Sequence, residues 1–445
     1  MKTVPWDPLE AVPSLRPAIW LGFALAACLI QGPQFARSLR PAPSEGVDFF
    51  QEWASAKNYF HGLPIYTSHR VTVPRYLDLA VEKDNDRSLS PGAIHVGIDV
   101  NAHPPSSVLA VLPLAALSYP DATFVWNVIS LAALAASLWL LCRGLKVRLS
   151  PWSIPPIIAL LLVCSPVRQQ IAQGQLNMIL LLLLTGVWAC HRSGRPAWAG
   201  ALLGLATVFK LFPGFLFLFF ALRNERRILL AGVCVVLGVT GLTLLVLGSP
   251  TYTTYVYDVL PQVEEFRGHW MNSSLPGFFT KLFGPVSTSA RVTPFLASPM
   301  IARLGWILAC VVLVAVWAWV VLRARSRTAL DCAYGLSVVT MLLVSPITWD
   351  HYFVLLIVPL AMVWVRLPAA AAIRGAFLAI VVVLCLPPIP LWNALVPGGH
   401  RAGLATPLHT VTVLAYGTYG LLALFAFNTF IVLRNSAPAA ASSDG

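Results

Sequence analysis

The chain has 445 residues, 58% of them hydrophobic and only 11% charged, against about 25% charged in a soluble domain. That composition excludes a water-soluble enzyme. An outer-membrane barrel is excluded as well, because runs such as "MILLLLLTGVW" show no alternation. The net charge of +12 sits in clusters between apolar runs, which marks the cytoplasmic side of a helical membrane protein and not a nucleic-acid surface.

In chain order, residues 1–16 form a cytoplasmic N-terminus and 17–32 a first span. "LAAC" ending at Cys28 also fits a lipoprotein cleavage box. Residues 33–104 form a first outer loop. Within it Phe49, Trp53, Ala56, Tyr59 and Phe60 recur near helical spacing, which predicts an amphipathic helix on the bilayer surface. Gly62 and Pro64 end that helix, and Asp48 stands at its start. "PPSSVLAVLPLAALS" (104–118) carries three prolines. If it crossed the membrane, every later basic cluster would move outside, so it is expected to be re-entrant or interfacial.

The return span is 122–142, ending at "RGLKVR". Residues 152–171 and 176–191 form the next pair, closed by "RSGR". "AWAGALLGLATVF" and "FPGFLFLFFAL" form another, broken at Lys210 and closed by "RNERR". Residues 228–248 lead to a second long outer loop, 249–299, and 300–322 return to "RARSR". The pairs 329–347 with 352–365 and 373–388 with 409–433 complete twelve spans, and 434–445 is a flexible cytoplasmic tail. The 17–433 region is thus one transmembrane domain. The eight cysteines lie in or beside apolar runs with no CxxC pair, so neither a disulfide framework nor a metal site is expected. There is no Walker motif, which argues against ATP-driven transport.

On this topology the polar residues at span ends gather on the outer face, and polar groups at membrane depth usually mark a substrate path. Asp48 is the candidate base, with Glu45 and Glu52 as competing acids. Lys210, Arg168 and His351 are candidate partners for a phosphate ester. Gln173, Gln175, Asn177, Asn272, Ser273 and His103 are candidates for holding sugar or acceptor hydroxyls. Each also has a structural reading: a solvated carboxylate, a snorkelling ammonium, an amide closing a helix end.

The ordered set "GVDFFQEWASAKNYFHGLPIY", "AHPPSSVLAVLPLAAL", "GQLNMILLLLL", "ATVFKLFPGFLFLFFALRNERR" and "SPITWDHYFVLLIVPLAM" resembles glycosyltransferase family 87, the polyprenol-phosphate-mannose-dependent mannosyltransferases. The resemblance runs from about residue 17 to 433. It implies an all-α polytopic protein with the GT-C fold of membrane glycosyltransferases. It also implies a polyprenyl-phosphate sugar as donor, a glycolipid or glycan as acceptor, and inversion at the anomeric carbon. By the same resemblance Asp48 is the general base and His351 matches the histidine after the Ser-Pro-x-x-Trp turn. Tyr352 stands where the family often has a second histidine. No cofactor is implied, and a divalent ion is not expected although some GT-C relatives use one. A transferase for another lipid-linked sugar, such as arabinose, and a carrier for lipid-linked saccharides are the alternatives; a carrier would place its polar groups at mid-membrane and show an internal repeat.

Overall fold

The structure, a computed structural model, describes residues 16–45, 48–83, 94–96, 99–285, 291–399 and 403–436. Most of the cytoplasmic N-terminus read from the sequence, and the tail from 437 onward, lie outside them.

Apolar runs have become helices throughout, because a bilayer offers backbone groups no hydrogen-bond partner. Among the described residues six helices are long and apolar enough to cross a membrane, or eight if each of two bent pairs counts as one span. Four of the shorter apolar helices, Asn177–Arg192, Pro196–Phe209, Phe212–Leu222 and Asp350–Trp364, stand where the sequence places single crossings. The fold is therefore an all-α polytopic membrane protein. Among the described residues it departs from this in a parallel pair of three-residue strands in the first loop, Val81–Lys83 with Ile94–Val96, and in an isolated bridge between Val292 and Ala405.

Two spans are bent where the sequence shows one apolar run. Pro151–Val163 and Ser165–Gln173 meet at 62° around Cys164, and Ala371–Leu384 and Pro388–Leu395 meet at 85°. Each second arm begins with proline in its first turn, where a missing N–H costs nothing. The first helix, Arg16–Leu39, continues through Pro33, so it outlasts the expected span end by seven residues. Cys28 lies within it, exposed.

The first loop packs as a second core. Helix Phe49–Phe60 buries Phe49, Phe50, Trp53, Ala54 and Ala56 against Val108, Val111, Tyr119 and Trp126. The sequence predicts that this helix lies on the bilayer surface. Instead, most of its apolar face is covered by protein. The helix Pro105–Val111 and the 3₁₀ turn Leu112–Ala116 beneath it are short. Twelve helical residues span about 18 Å, well under the roughly 30 Å hydrocarbon core.

Lys210 is fixed by two neighbouring helices. Helix Pro196–Phe209 crosses Arg226–Leu247 at Gly200 and Gly204: a Cβ at Gly200 would collide with the Ile228 carbonyl, and one at Gly204 would come within 2.5 Å of the Gly232 carbonyl. Such close backbone approach is what small residues four apart permit in membrane helices. The helix then stops at Lys210, whose backbone is extended. Ser106 Oγ bonds the carbonyl of Val208 at 2.6 Å, tying this end to the helix from Pro105.

Candidate active site

A cavity of about 550 Å³ opens between the first loop, the Lys210 turn, the long loop 249–299 and the turn after Val344. Asp48 enters it from the start of helix Phe49–Phe60. Its carboxylate does not cap that helix. Instead Oδ2 accepts a 2.6 Å hydrogen bond from Gln175 Nε2. Gln175 reaches it because Gly174 precedes it with φ of 62°, and a Cβ at Gly174 would press on the Phe49 side chain. Glycine supplies both that backbone conformation and that clearance.

The other end of the Gln175 amide faces Lys210. Nζ donates to Gln175 Oε1 at 3.1 Å and to Asn177 Oδ1 at 3.2 Å. Asn177 in turn donates to Gln170 Oε1 at 3.0 Å. The ammonium stands 4.3 Å from the centre of the Tyr352 ring, and Lys210 is 4% exposed. A carboxamide thus joins a carboxylate to an ammonium, giving its N–H to one and its oxygen to the other. Among the described residues Lys210 is the only lysine or arginine lining the cavity, and Asp48 and Asp350 are the only carboxylates.

Glu52 is buried and takes its hydrogen bond from His103 Nδ1. The His103 backbone is held by Asn101 Oδ1, and its carbonyl by the Tyr66 hydroxyl at 2.8 Å. Glu52 therefore orients His103, which lines the cavity, and does not line it itself. Glu45 is exposed and away from it. His69 also lines the cavity. Burial holds it down at about 4, against the pull of Asp99 and Glu52, so its ring is neutral near pH 7.

On the far wall Asp350 and His351 are both buried, with His351 Nδ1 3.7 Å from Asp350 Oδ1. Above, Tyr255, Leu260, Val263 and Phe266 of the long loop form a roof. His269, also in the roof, is held down at about 3 by burial, with Lys281 and Arg291 adding to the effect.

The cavity gathers Asp48, His103, Gln173, Gln175, Lys210 and His351, and leaves out four other candidates. Asn177 is wholly buried and spends its side chain on Lys210 and Gln170. Asn272 is a brace: its Nδ2 donates to the carbonyls of Arg267 and Pro346, and its Oδ1 accepts from the N–H groups of Ser274 and Thr348. No bonding capacity of its N–H₂ is left for a sugar. Ser273 follows the same strand of backbone, bonded to Thr348. Arg168 does not reach the lining, while its neighbour Gln169 does. Among the described residues no three His, Cys, Asp or Glu side chains are grouped to hold a metal.

The model of glycosyltransferase family 87 matches residues 101–346. The chain belongs to this family. The matched stretch carries His103, Gln175 and Lys210; Asp48 and His351 lie outside it. Several curated proteins are similar to this chain. A polyprenol-phosphate-mannose-dependent alpha-(1-2)-phosphatidylinositol mannoside mannosyltransferase of Mycolicibacterium smegmatis is 27% identical, over 58% of this chain and 60% of that protein. A phosphatidylinositol pentamannoside mannosyltransferase of Mycobacterium tuberculosis, also polyprenol-phosphate-mannose-dependent, is 28% identical over 59% and 57%. An alpha-(1->3)-arabinofuranosyltransferase of Corynebacterium glutamicum is 24% identical over 66% and 65%. The chain spans about three-fifths of the length of the first two relatives. No solved structure matches it.

His69, Gln51 and Asp350 are among the polar lining residues that had no place among the sequence candidates. Gln51 and Asp350 are sequence neighbours of noted residues, one turn from Asp48 and beside His351. His69 carries no signal, because the "TSHR" stretch reads as an ordinary solvated turn.

Proposed function

We propose that this protein is an inverting membrane glycosyltransferase that moves a hexose, mannose in the first instance, from a polyprenyl phosphate to an acceptor hydroxyl. The observation that carries the reading is the Asp48 carboxylate, bonded on one oxygen by Gln175 and sharing a cavity with Lys210 and His351. The relatives' use of polyprenol-phosphate-mannose names the donor. In this reading the chain crosses the membrane twelve times as a GT-C enzyme, both termini are cytoplasmic, and the cavity opens on the outer face.

Asp48 Oδ1 takes the acceptor's hydroxyl proton as that oxygen attacks the anomeric carbon. The bond from that carbon to the bridging phosphate oxygen breaks on the opposite face, and its electron pair leaves with the phosphate. A phosphodiester becomes a phosphomonoester with one more negative charge. Fixed positive charge near the departing oxygen lowers the barrier. Lys210 supplies it at the wall, and His351 supplies a second donor. Gln173 and His103 are placed to meet hydroxyls, and the acceptor is a glycolipid or glycan. The reading requires no metal ion, because these side chains provide the charge.

One observation favours a second reading, an arabinosyl donor: one relative is named an arabinofuranosyltransferase. The test is transfer by the purified protein in lipid, with radiolabelled mannosyl-phospho-polyprenol and a membrane extract as acceptor pool. Wild-type protein labels a new product. Asp48→Asn lowers the rate by about 10²–10⁴-fold, the usual contribution of a general base, and still binds the donor. Wild-type turnover in Asp48→Asn would falsify the base assignment. Label from an arabinosyl donor alone supports the second reading, and donor binding without any transfer points to a carrier.

A further inference from the structure

Among the described residues several buried polar atoms without partners belong to side chains that line this cavity, His69 Nε2 among them. Among the described residues both carboxylate oxygens of Asp350 and Nε2 of His351 have no hydrogen-bond partner. Asp350 is 4% exposed and His351 7%. A bare, buried carboxylate is among the most costly groups a fold can keep, and such an exception calls for a cause. The donor at hand is His351 Nδ1, 3.7 Å from Asp350 Oδ1. That is just past hydrogen-bonding range, and a closure of about 1 Å would bring the two together.

The ring's position supplies the rest. It meets Tyr352 edge-on at 5.0 Å, and the same Tyr352 ring carries Lys210 at 4.3 Å. His351 thus stands between a bare carboxylate and the wall that holds the cavity's lysine. When Nδ1–H serves Asp350, Nε2 faces outward, and a doubly protonated ring presents a second N–H there. A ligand that brings an anionic oxygen to Nε2 then gives that orphan a partner while Nδ1–H serves Asp350 Oδ1. A carboxylate behind a histidine fixes the orientation of the ring and so which nitrogen faces outward.

We propose that Asp350 is a positioning residue: it holds His351 Nδ1–H so that Nε2–H donates to the phosphate of the lipid-linked donor. The proposal rests on the glycosyl-transfer reading above and adds to it the residue that acts through His351.

The experiment measures binding of polyprenyl phosphate to the full-length protein in nanodiscs. The proteins compared are wild type, Asp350→Asn, His351→Ala and the double variant. Asp350→Asn is expected to weaken binding about 10-fold, and to change it less than 2-fold in the His351→Ala background, since coupled residues are non-additive. Wild-type affinity in Asp350→Asn overturns the proposal. So does an equal loss in both backgrounds, which marks a merely structural effect. If Asp350→Asn does not fold, Asp350→Glu carries the same cycle with the same expectation. Polyprenyl phosphate that fails to bind wild-type protein sinks the glycosyl-transfer reading itself. Binding that is indifferent to Asp350 sinks only this proposal.

Discussion

Gln175 has the most consequential side chain in the cavity after Asp48. It donates to the carboxylate and accepts from the ammonium, so neither charge meets the other directly. A direct Asp–Lys ion pair would occupy the carboxylate and weaken it as a base. The amide bonds Oδ2 alone and leaves Oδ1 to the cavity. Gln175→Leu preserves bulk and removes both bonds. A hydrogen bond to a charged group is worth about 1.5–3 kcal/mol, so turnover should fall about 10- to 100-fold while the protein remains folded; unchanged turnover would show that Asp48 needs no such support. Lys210 was readable from the sequence because it interrupts an apolar run, where a charge demands a reason, and Asp48 because it stands at the start of an amphipathic helix. The amides were not. Gln175 and Asn272 look alike in sequence, yet one lines the cavity and the other is spent on four backbone bonds. Only the fold decides which amides are left over for a substrate.

At the scale of elements, Lys210 is placed by glycines and not by its own chemistry. Helix Pro196–Phe209 lies against Arg226–Leu247 because Gly200 and Gly204 have no side chains to hold the backbones apart. Gly204→Leu should push the helices apart. Overpacking of this kind costs about 1–3 kcal/mol, read as a lower thermal midpoint in detergent. Donor binding should weaken too, since the end of the helix carries Lys210; an unchanged midpoint would mean that the pair can separate freely. The apolar runs themselves were plain in the sequence, and so was the short Pro-Pro segment. The bends at Cys164 and near Leu386 were not, because proline in the first turn of a second arm looks the same as proline inside a continuous run. Nor was the burial of the first-loop helix. Its hydrophobic face reads equally well as facing lipid or protein, and the protein that covers it comes from Val108, Tyr119 and Trp126, more than forty residues further along the chain.

Taken whole, the molecule has two chemically different ends. At one, the basic clusters are bonded to each other. Arg192 pairs with Asp331, Arg327 donates to the Arg192 carbonyl at 2.7 Å, His191 meets Glu225 at 3.3 Å, and Ser326 donates to the Asn435 carbonyl at 2.8 Å. At the other, helices that begin or end near those residues deliver Lys210, its partner Asn177 and the turn after Val344 to the cavity and its wall. The same helices span both ends, so the sidedness of one fixes the other. In the proposed topology the arginine-rich end is cytoplasmic, the side on which such an excess collects, and Asp48 then faces outward. The test compares Ser193→Cys at the basic end with Glu265→Cys in the long loop beside the roof residue Phe266, both at exposed positions, in a background lacking the exposed Cys28 and Cys234. A membrane-impermeant maleimide applied to intact cells should label Glu265→Cys and reach Ser193→Cys only after lysis. The reverse pattern would turn the enzyme over and put the acceptor in the cytoplasm. Labelling of both from outside would mean that the two ends do not lie on opposite sides of a membrane, and the helices between them would then have to be something other than spans.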